Sequence, residues 1–177
     1  APSVRLRAGE ALRFPSETAF AFRLRKSAEK MKEAPEIRPA ELRDWDQLVY
    51  ADRLLDHEKL QEKIARRELI VCDERGQITG LLRYSWFWGY LPFIDLIWVE
   101  EGFRREGRAS RLLAQLELET KGRNHDMILT STQSDEDGQL FFRRMGFVDA
   151  GGFVIRGAPL ELIMIKYLSN AESTGDR

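Results

Sequence analysis

Apolar positions along the chain change period repeatedly, and each change marks an element. Residues 36–40 read as a short strand. Leu42, Trp45, Leu48, Val49 and Leu55 recur at helical spacing and predict a helix over about 41–55. Leu60 and Ile64 belong to a second, short and charged helix. Leu69-Ile70-Val71-Cys72 is an unbroken apolar strand, and residues 73–77, with Gly76, read as a hairpin turn. Residues 78–88 form a long strand and 89–92 another turn. Residues 93–100 are a nearly continuous apolar strand interrupted by Asp95. Ala109, Leu112, Leu113 and Leu116 share one face of a helix over about 107–121. Residues 127–131 are a buried strand, 137–145 a helix closed by Gly146, and 147–155 and 160–168 two final strands. The order is strand, two helices, three strands, helix, strand, helix, two strands. That is the pattern of a mixed α/β sheet with helices packed on it.

The two ends differ from this middle. Ser16 is placed to cap a helix from Glu17, with Phe20, Leu24, Ala28 and Met31 along one stripe. Residues 1–34 hold 8 Lys/Arg and 4 Asp/Glu, whereas the remainder holds 20 and 25. The division expected is therefore a basic helical arm at 1–34, a main domain at 35–168 and a polar, disordered tail at 169–177. The arm's apolar stripe is expected to dock on the main domain or on a second subunit in a homodimer. A basic helix for an acidic partner is the alternative.

Composition narrows the class. With 43% hydrophobic and 32% charged residues, the 177-residue chain has the make-up of a folded protein. Its net charge of −1 supplies no field that would select nucleic acid or an anionic membrane. No basic pattern is interleaved with aromatics, so nucleic acid is not an expected partner. No apolar run approaches the ~20 residues of a membrane span, and the N-terminus lacks a secretory pattern. The single cysteine, Cys72, allows no internal disulfide, which points to a reducing cytoplasm. His57 and His125 are isolated, and no cluster has metal-ligand spacing, so no metal is expected.

The segment that carries chemistry runs from Ile94 to Leu113. A buried strand enters the turn Arg104-Arg105-Glu106-Gly107-Arg108-Ala109, and an amphipathic helix leaves it. Backbone N–H groups crowd at such a helix start, where the dipole is positive. Gly107 and Ala109 leave the surface bare, so an anion can reach the main chain. The turn has neither the Gly-Lys-Ser/Thr of a Walker loop nor a Gly-x-Gly-x-x-Gly fingerprint.

Arg-x-x-Gly-x-Ala at 104–109 resembles the pyrophosphate motif of the GCN5-related N-acetyltransferases. The strand ending in Val99, the Leu-Leu helix and Phe-Phe-Arg-Arg-Met-Gly-Phe at 141–147 strengthen the likeness, which covers about 36–168. It is closest to bacterial members of unassigned acceptor that carry Thr-Ser-Thr-Gln-Ser-Asp, here at 130–135. The resemblance implies a mixed central sheet of about seven strands flanked by about four helices, preceded here by the helical arm. It implies two central strands that splay near a bulge, with the pantetheine of acetyl-CoA in the gap. Main-chain groups of Ile97, Trp98 and Val99 would pair with pantetheine amides, and the Val99 N–H would polarise the thioester. Arg104, Arg105, Glu106, Gly107, Arg108, Ala109 and Ser110 would hold the pyrophosphate, with Asp135 and Phe142 also on the coenzyme side.

The activity implied is transfer of an acetyl group to a primary amine of a small molecule or peptide, by direct attack in a ternary complex. Asp95, alone in an apolar strand, is the candidate base, with Glu100 and Glu101 as alternates; its other reading is a structural carboxylate paired with an arginine. The family often has Tyr where Phe142 stands. A hydroxyl from Ser134, Tyr84 or Tyr90 must then serve as the acid, or the thiolate leaves unprotonated. Tyr84, Trp86, Phe87, Trp88, Tyr90 and Phe93 crowd one hairpin, and Tyr84, Trp86 and Trp88 are the candidates to contact the acceptor. A second reading, supported by Phe142, is a sensor that binds acyl-CoA without turning it over.

Overall fold

Seven strands and four α-helices follow in the expected order: β1 (Glu36–Pro39), α1 (Trp45–Ala51), α2 (His57–Ala65), β2 (Leu69–Glu74), β3 (Gln77–Phe87), β4 (Leu91–Val99), α3 (Arg108–Gly122), β5 (Met127–Gln133), α4 (Gly138–Arg144), β6 (Val148–Phe153) and β7 (Glu161–Tyr167). The structure is a computed structural model and describes residues 34–168. The arm expected at 1–34, but for Ala34, and the tail at 169–177 lie outside the described residues. Among the described residues no helix is long and apolar enough to cross a membrane.

The sheet order is β1-β2-β3-β4-β5-β7-β6. All neighbours are antiparallel except β4 and β5, which are parallel. Helices cover both faces, so alternate residues of one strand enter two different cores. Ile70 and Cys72 of β2 pack with Leu112, Leu116 and Ile128 under α3. Leu69 and Val71 pack with Leu48, Leu60 and Ile64 of α1 and α2. The unbroken run Leu69–Cys72 is the signature of a strand buried on both sides. Gly80 lets α3 approach: a Cβ there would stand 3.2 Å from Leu112 Cδ1 and 3.3 Å from Cys72 Cβ.

Several boundaries shift from those expected, and three of the shifts have a visible cause or bear on the site. The helix over 41–55 is a 3-10 turn at Leu42–Asp44 followed by α1, which stops at Ala51. Asp52 leaves the helix in an extended conformation, and its carboxylate pairs with Arg83 of β3 at 2.7 Å. Trp88 and Gly89 both take left-handed backbone angles and make the β3–β4 turn, one residue earlier than expected. The first two residues of the acidic run 135–137 form a turn and the third caps α4, which begins at Gly138.

The feature that places the site lies in β4. Arg83 pairs with Leu96 and Tyr84 with Ile94, so Asp95 is the extra residue of a bulge. β4 and β5 pair only at Phe93↔Leu129 and Ile94↔Thr130. Beyond that point β5 stays with β7, up to Gln133↔Glu161, while β4 stays with β3, up to Gly80↔Val99. The two central strands separate, and the edge of residues 96–99 faces a gap.

Candidate functional site

A cavity of about 480 Å³ fills that gap. Its walls are residues 94–99 of β4, 130–132 of β5, 136–138 before and at the start of α4, and Phe141 and Phe142. Arg104 and Ala109 close the end where α3 begins.

The turn into α3 follows from backbone conformation. Arg105 (φ 61°) and Gly107 (φ 82°) are both left-handed, and Gly107 caps α3 without a side chain. Gly107 therefore offers no side-chain acceptor to the first N–H groups of α3. Space is not what selects Gly107, since a Cβ there would meet nothing within 4 Å; its φ is. Arg104 donates from Nε to the Val99 carbonyl at 3.0 Å, tying the turn to the end of β4.

Arg108 contributes differently from the sequence expectation. Its main chain begins α3, but its guanidinium turns inward, donating to Thr79 Oγ1 (3.1 Å), the Phe103 carbonyl (2.9 Å), Glu106 (2.7 Å) and both Glu74 oxygens (3.0 Å each). It also lies over the Phe103 ring. The side chain is an internal anchor for the turn, leaving Arg104 as the arginine that lines the cavity.

Asp95 lines the cavity at the bulge. Ser85 donates its hydroxyl to Asp95 Oδ1 at 2.9 Å, and Lys63 Nζ and Arg83 Nη1 both lie 3.8 Å from Oδ2. Burial pushes this carboxyl above its ordinary value, against the Ser85 hydrogen bond and the two cations, which pull it down. Phe142 also lines the cavity, in edge contact with Phe141 and Phe147.

Other candidates stand elsewhere. Glu100, Ser110, Ser134 and Asp135 are not among the lining residues; Ser134 and Asp135 are exposed beyond the end of β5. Tyr84, expected as an acceptor contact or proton donor, does not line the cavity. It is 1% exposed, and its hydroxyl bonds to the Arg67 carbonyl (3.1 Å) and the Glu119 carboxylate (3.4 Å) under α3. Burial and the Glu119 charge push that phenol up to about 12. Trp86 lies on the same face, stacked edge-on to Tyr84 and beneath Arg123. Trp88 is exposed at the hairpin tip, against Phe87. Alternation along β3 turns Arg83 and Ser85, not Tyr84 and Trp86, toward Asp95.

Sequence reasoning missed Lys63, Arg83 and Ser85 around Asp95, and Ser131 and Thr130 on β5. Strand alternation along residues 78–88 was the available signal for Ser85. Lys63 carried none, because its place depends on the packing of α2.

Residues 65–149 match the family model of the acetyltransferase (GNAT) domain. No curated protein matches the chain. Among solved structures, a GNAT-family acetyltransferase from Bacillus cereus shares the fold at TM-score 0.66 and 24% identity, covering 78% of this chain and 100% of its own. A PaiA N-acetyltransferase from Thermoplasma acidophilum, in complex with coenzyme A, aligns at 0.66 and 15%, covering 76% and 99%. An N-acetylglutamate synthase from Neisseria gonorrhoeae, complexed with coenzyme A and N-acetyl-glutamate, aligns at 0.67 and 19%, covering 78% of this chain and 36% of its own. The splayed strands, the β4 bulge and the start of α3 lie within residues 65–149, the stretch that matches the acetyltransferase (GNAT) domain, and the fold is the one seen in GNAT acetyltransferases.

Proposed function

We propose that the chain is an N-acetyltransferase that moves an acetyl group from acetyl-CoA to a primary amine of a small molecule or peptide, by direct attack in a ternary complex. The observation that carries this reading is one continuous cavity. It joins the unpaired edge of residues 96–99 to the N-terminus of α3 at Ala109. An extended chain bearing amides and ending in a pyrophosphate fits such a surface: amides along a free strand edge, anion at the helix start. The Thermoplasma acidophilum and Neisseria gonorrhoeae structures, which share this fold, are complexes with coenzyme A.

In this reading Ile97, Trp98 and Val99 offer main-chain partners to the pantetheine. Arg104, Arg105, Gly107, Ala109 and Ser110, with the main chain of Glu106 and Arg108, hold the pyrophosphate. Phe142 packs beside the thioester end. Asp95 takes a proton from the acceptor ammonium, and the freed amine attacks the thioester carbon. The C–S bond breaks with its electron pair on sulfur, and the second proton, lost from the attacking nitrogen as the amide forms, goes to that sulfur or to water. A thiol of pKa near ~8.5 leaves tolerably without a donor, and Ser131 on β5 is the hydroxyl nearest in kind to the missing acid.

The alternative, a sensor that binds acyl-CoA without turnover, rests on Phe142. The decisive experiment is acetylation of an amine panel, measured by coenzyme A release, beside a thermal shift with acetyl-CoA and with 3′-dephospho-coenzyme A. Coenzyme binding with release that survives mock purification supports the enzyme. Binding with no release across polyamines, amino acids and peptides sinks it in favour of the sensor.

A further inference from the structure

Five ionisable groups from five segments meet on the α1–α2 face of the sheet: Asp52 after α1, Lys63 in α2, Glu68 before β2, Arg83 in β3 and Asp95 at the bulge of β4. Two pairs are in contact. Lys63 Nζ lies 2.6 Å from Glu68 Oε2, and Arg83 Nε lies 2.7 Å from Asp52 Oδ2, although that ion pair lacks hydrogen-bond geometry. Lys63 is further held by the Tyr84 carbonyl at 2.8 Å, which keeps its ammonium on the Glu68 side.

Asp95 is the carboxylate left over. Three carboxylates share two cations, and both cations are already taken at contact distance by Glu68 and Asp52. From Asp95 Oδ2 each stands at 3.8 Å, beyond hydrogen-bond reach. Ser85 holds Oδ1. Among the described residues no donor reaches Oδ2, and the Asp95 side chain keeps 22% of its surface exposed. The cluster thus carries one more negative than positive group, and Oδ2 of Asp95 is the oxygen that faces the two cations at ion-pair distance without a hydrogen bond. A carboxylate in excess of its cations in such a place is costly, and a further cation would complete the set.

We propose that Ser85 and Lys63 are positioning residues for Asp95. Ser85 ties down Oδ1, and Lys63, with Arg83, supplies positive potential at a distance, so that Oδ2 alone is presented to the acceptor ammonium. This inference rests on the acetyltransferase reading above. Recognition and catalysis are then done by one atom. The ammonium completes the charge of the cluster when it binds. An N–H bond breaks, its electron pair stays on nitrogen, the proton goes to Oδ2, and it is passed to water after the amide forms. The acceptor class selected is a cationic primary amine with no anionic group close to its nitrogen, because a carboxylate there would face Asp95, Asp52 and Glu68.

The device has a pH signature. Asp95 must be ionised to accept a proton, so kcat/KM rises with pH through its titration. The Ser85 hydrogen bond and the Lys63 and Arg83 charges oppose the upward push of burial. Removing either moves the rising limb to higher pH.

The test uses the whole chain with Ser85→Ala, Ser85→Thr and Lys63→Gln. The Asp95 carboxyl is titrated by 13C NMR in protein free of substrates, and kcat/KM is measured against pH for a simple alkylamine. Ser85→Ala is expected to titrate at higher pH and to lose roughly tenfold in kcat/KM on the acid limb, with KM for acetyl-CoA unchanged. Ser85→Thr is expected to restore both. Lys63→Gln leaves Glu68 buried without its partner and can weaken folding, whereas Ser85→Ala removes one hydroxyl and keeps the test decisive. An Asp95 midpoint that stays put in Ser85→Ala overturns the proposal, whatever the turnover. A midpoint that moves in protein acetylating no amine supports the cluster and counts against the acetyltransferase reading instead. Equal kcat/KM for alkylamines and for α-amino acids overturns the selectivity.

Discussion

The Arg108 guanidinium sits 3.0 Å from both carboxylate oxygens of Glu74, fastening the first residue of α3 to the end of β2. Arg108 is 5% exposed, so this is an internal clamp that aims the helix start. Arg108→Met is expected to destabilise by about 3 kcal/mol, the usual cost of leaving a partly buried partner charge. That is a melting drop of roughly 6–12 °C for a chain of this size. Calorimetry checks it; a drop below about 2 °C would show that the clamp is dispensable.

Gly107 takes φ 82° at the cap of α3, a conformation that L side chains rarely adopt. Gly107→Ala is expected to cost about 1 kcal/mol in stability. It should weaken acetyl-CoA binding by several-fold through distortion of the turn. Gly107→Glu, which brings a negative charge to the anion site, is expected to abolish the thermal shift from acetyl-CoA. A full shift in the glutamate variant would place the pyrophosphate elsewhere.

Asp95→Asn keeps the shape of the bulge residue and removes its basicity. A loss of 10²–10⁴ in kcat/KM is expected for a general base, with acetyl-CoA affinity unchanged within about twofold. Isothermal titration and steady-state kinetics separate the two quantities. Retained turnover would leave Asp95 as a structural carboxylate of the ion cluster.

Tyr84→Phe removes a hydroxyl that is bonded to the Arg67 carbonyl and Glu119 and does not line the cavity. Activity is expected within about twofold of the parent, with stability lower by about 1 kcal/mol. A large fall in kcat with unchanged stability would return this phenol to the reaction.

Arg38 grips Asp44 with two hydrogen bonds, of 2.8 and 2.7 Å. Burial pushes the Asp44 carboxyl up, but Arg38 and the Glu41 amide outweigh it and hold it below its ordinary value. The unfolded chain therefore binds the proton more tightly. The stabilisation is full above the unfolded pKa of ~3.9 and is lost as pH falls through the lower folded value. Asp44→Asn is expected to cost about 3 kcal/mol at pH 7, with the gap to the parent closing toward pH 2. Urea midpoints at several pH values follow this directly; a gap independent of pH would assign the cost to packing.

The order and type of all seven strands and four helices were legible in the sequence, because hydrophobic period is a local property. Leu69–Cys72 announced a strand covered on both faces, and Leu112, Leu113 and Leu116 the inner face of α3. The Arg104–Ala109 turn into α3 was legible as a turn, since its conformation needs only a glycine in a fixed place, here Gly107 at φ 82°. What the tertiary structure alone decided was which face each strand turned to which core. Alternation puts Tyr84 and Trp86 on one side and Arg83 and Ser85 on the other. Only the seating of α3 against the first pair, and of α1 and α2 near the second, buries the phenol and leaves Ser85 beside Asp95. The end of α1 at Ala51 coincides with a buried pairing of Asp52 with Arg83, far along the chain. Arg108 reads as a phosphate arginine until Glu74 is brought beneath it. Ion pairs form between residues distant in sequence, and a single strand's period carries no record of its partners.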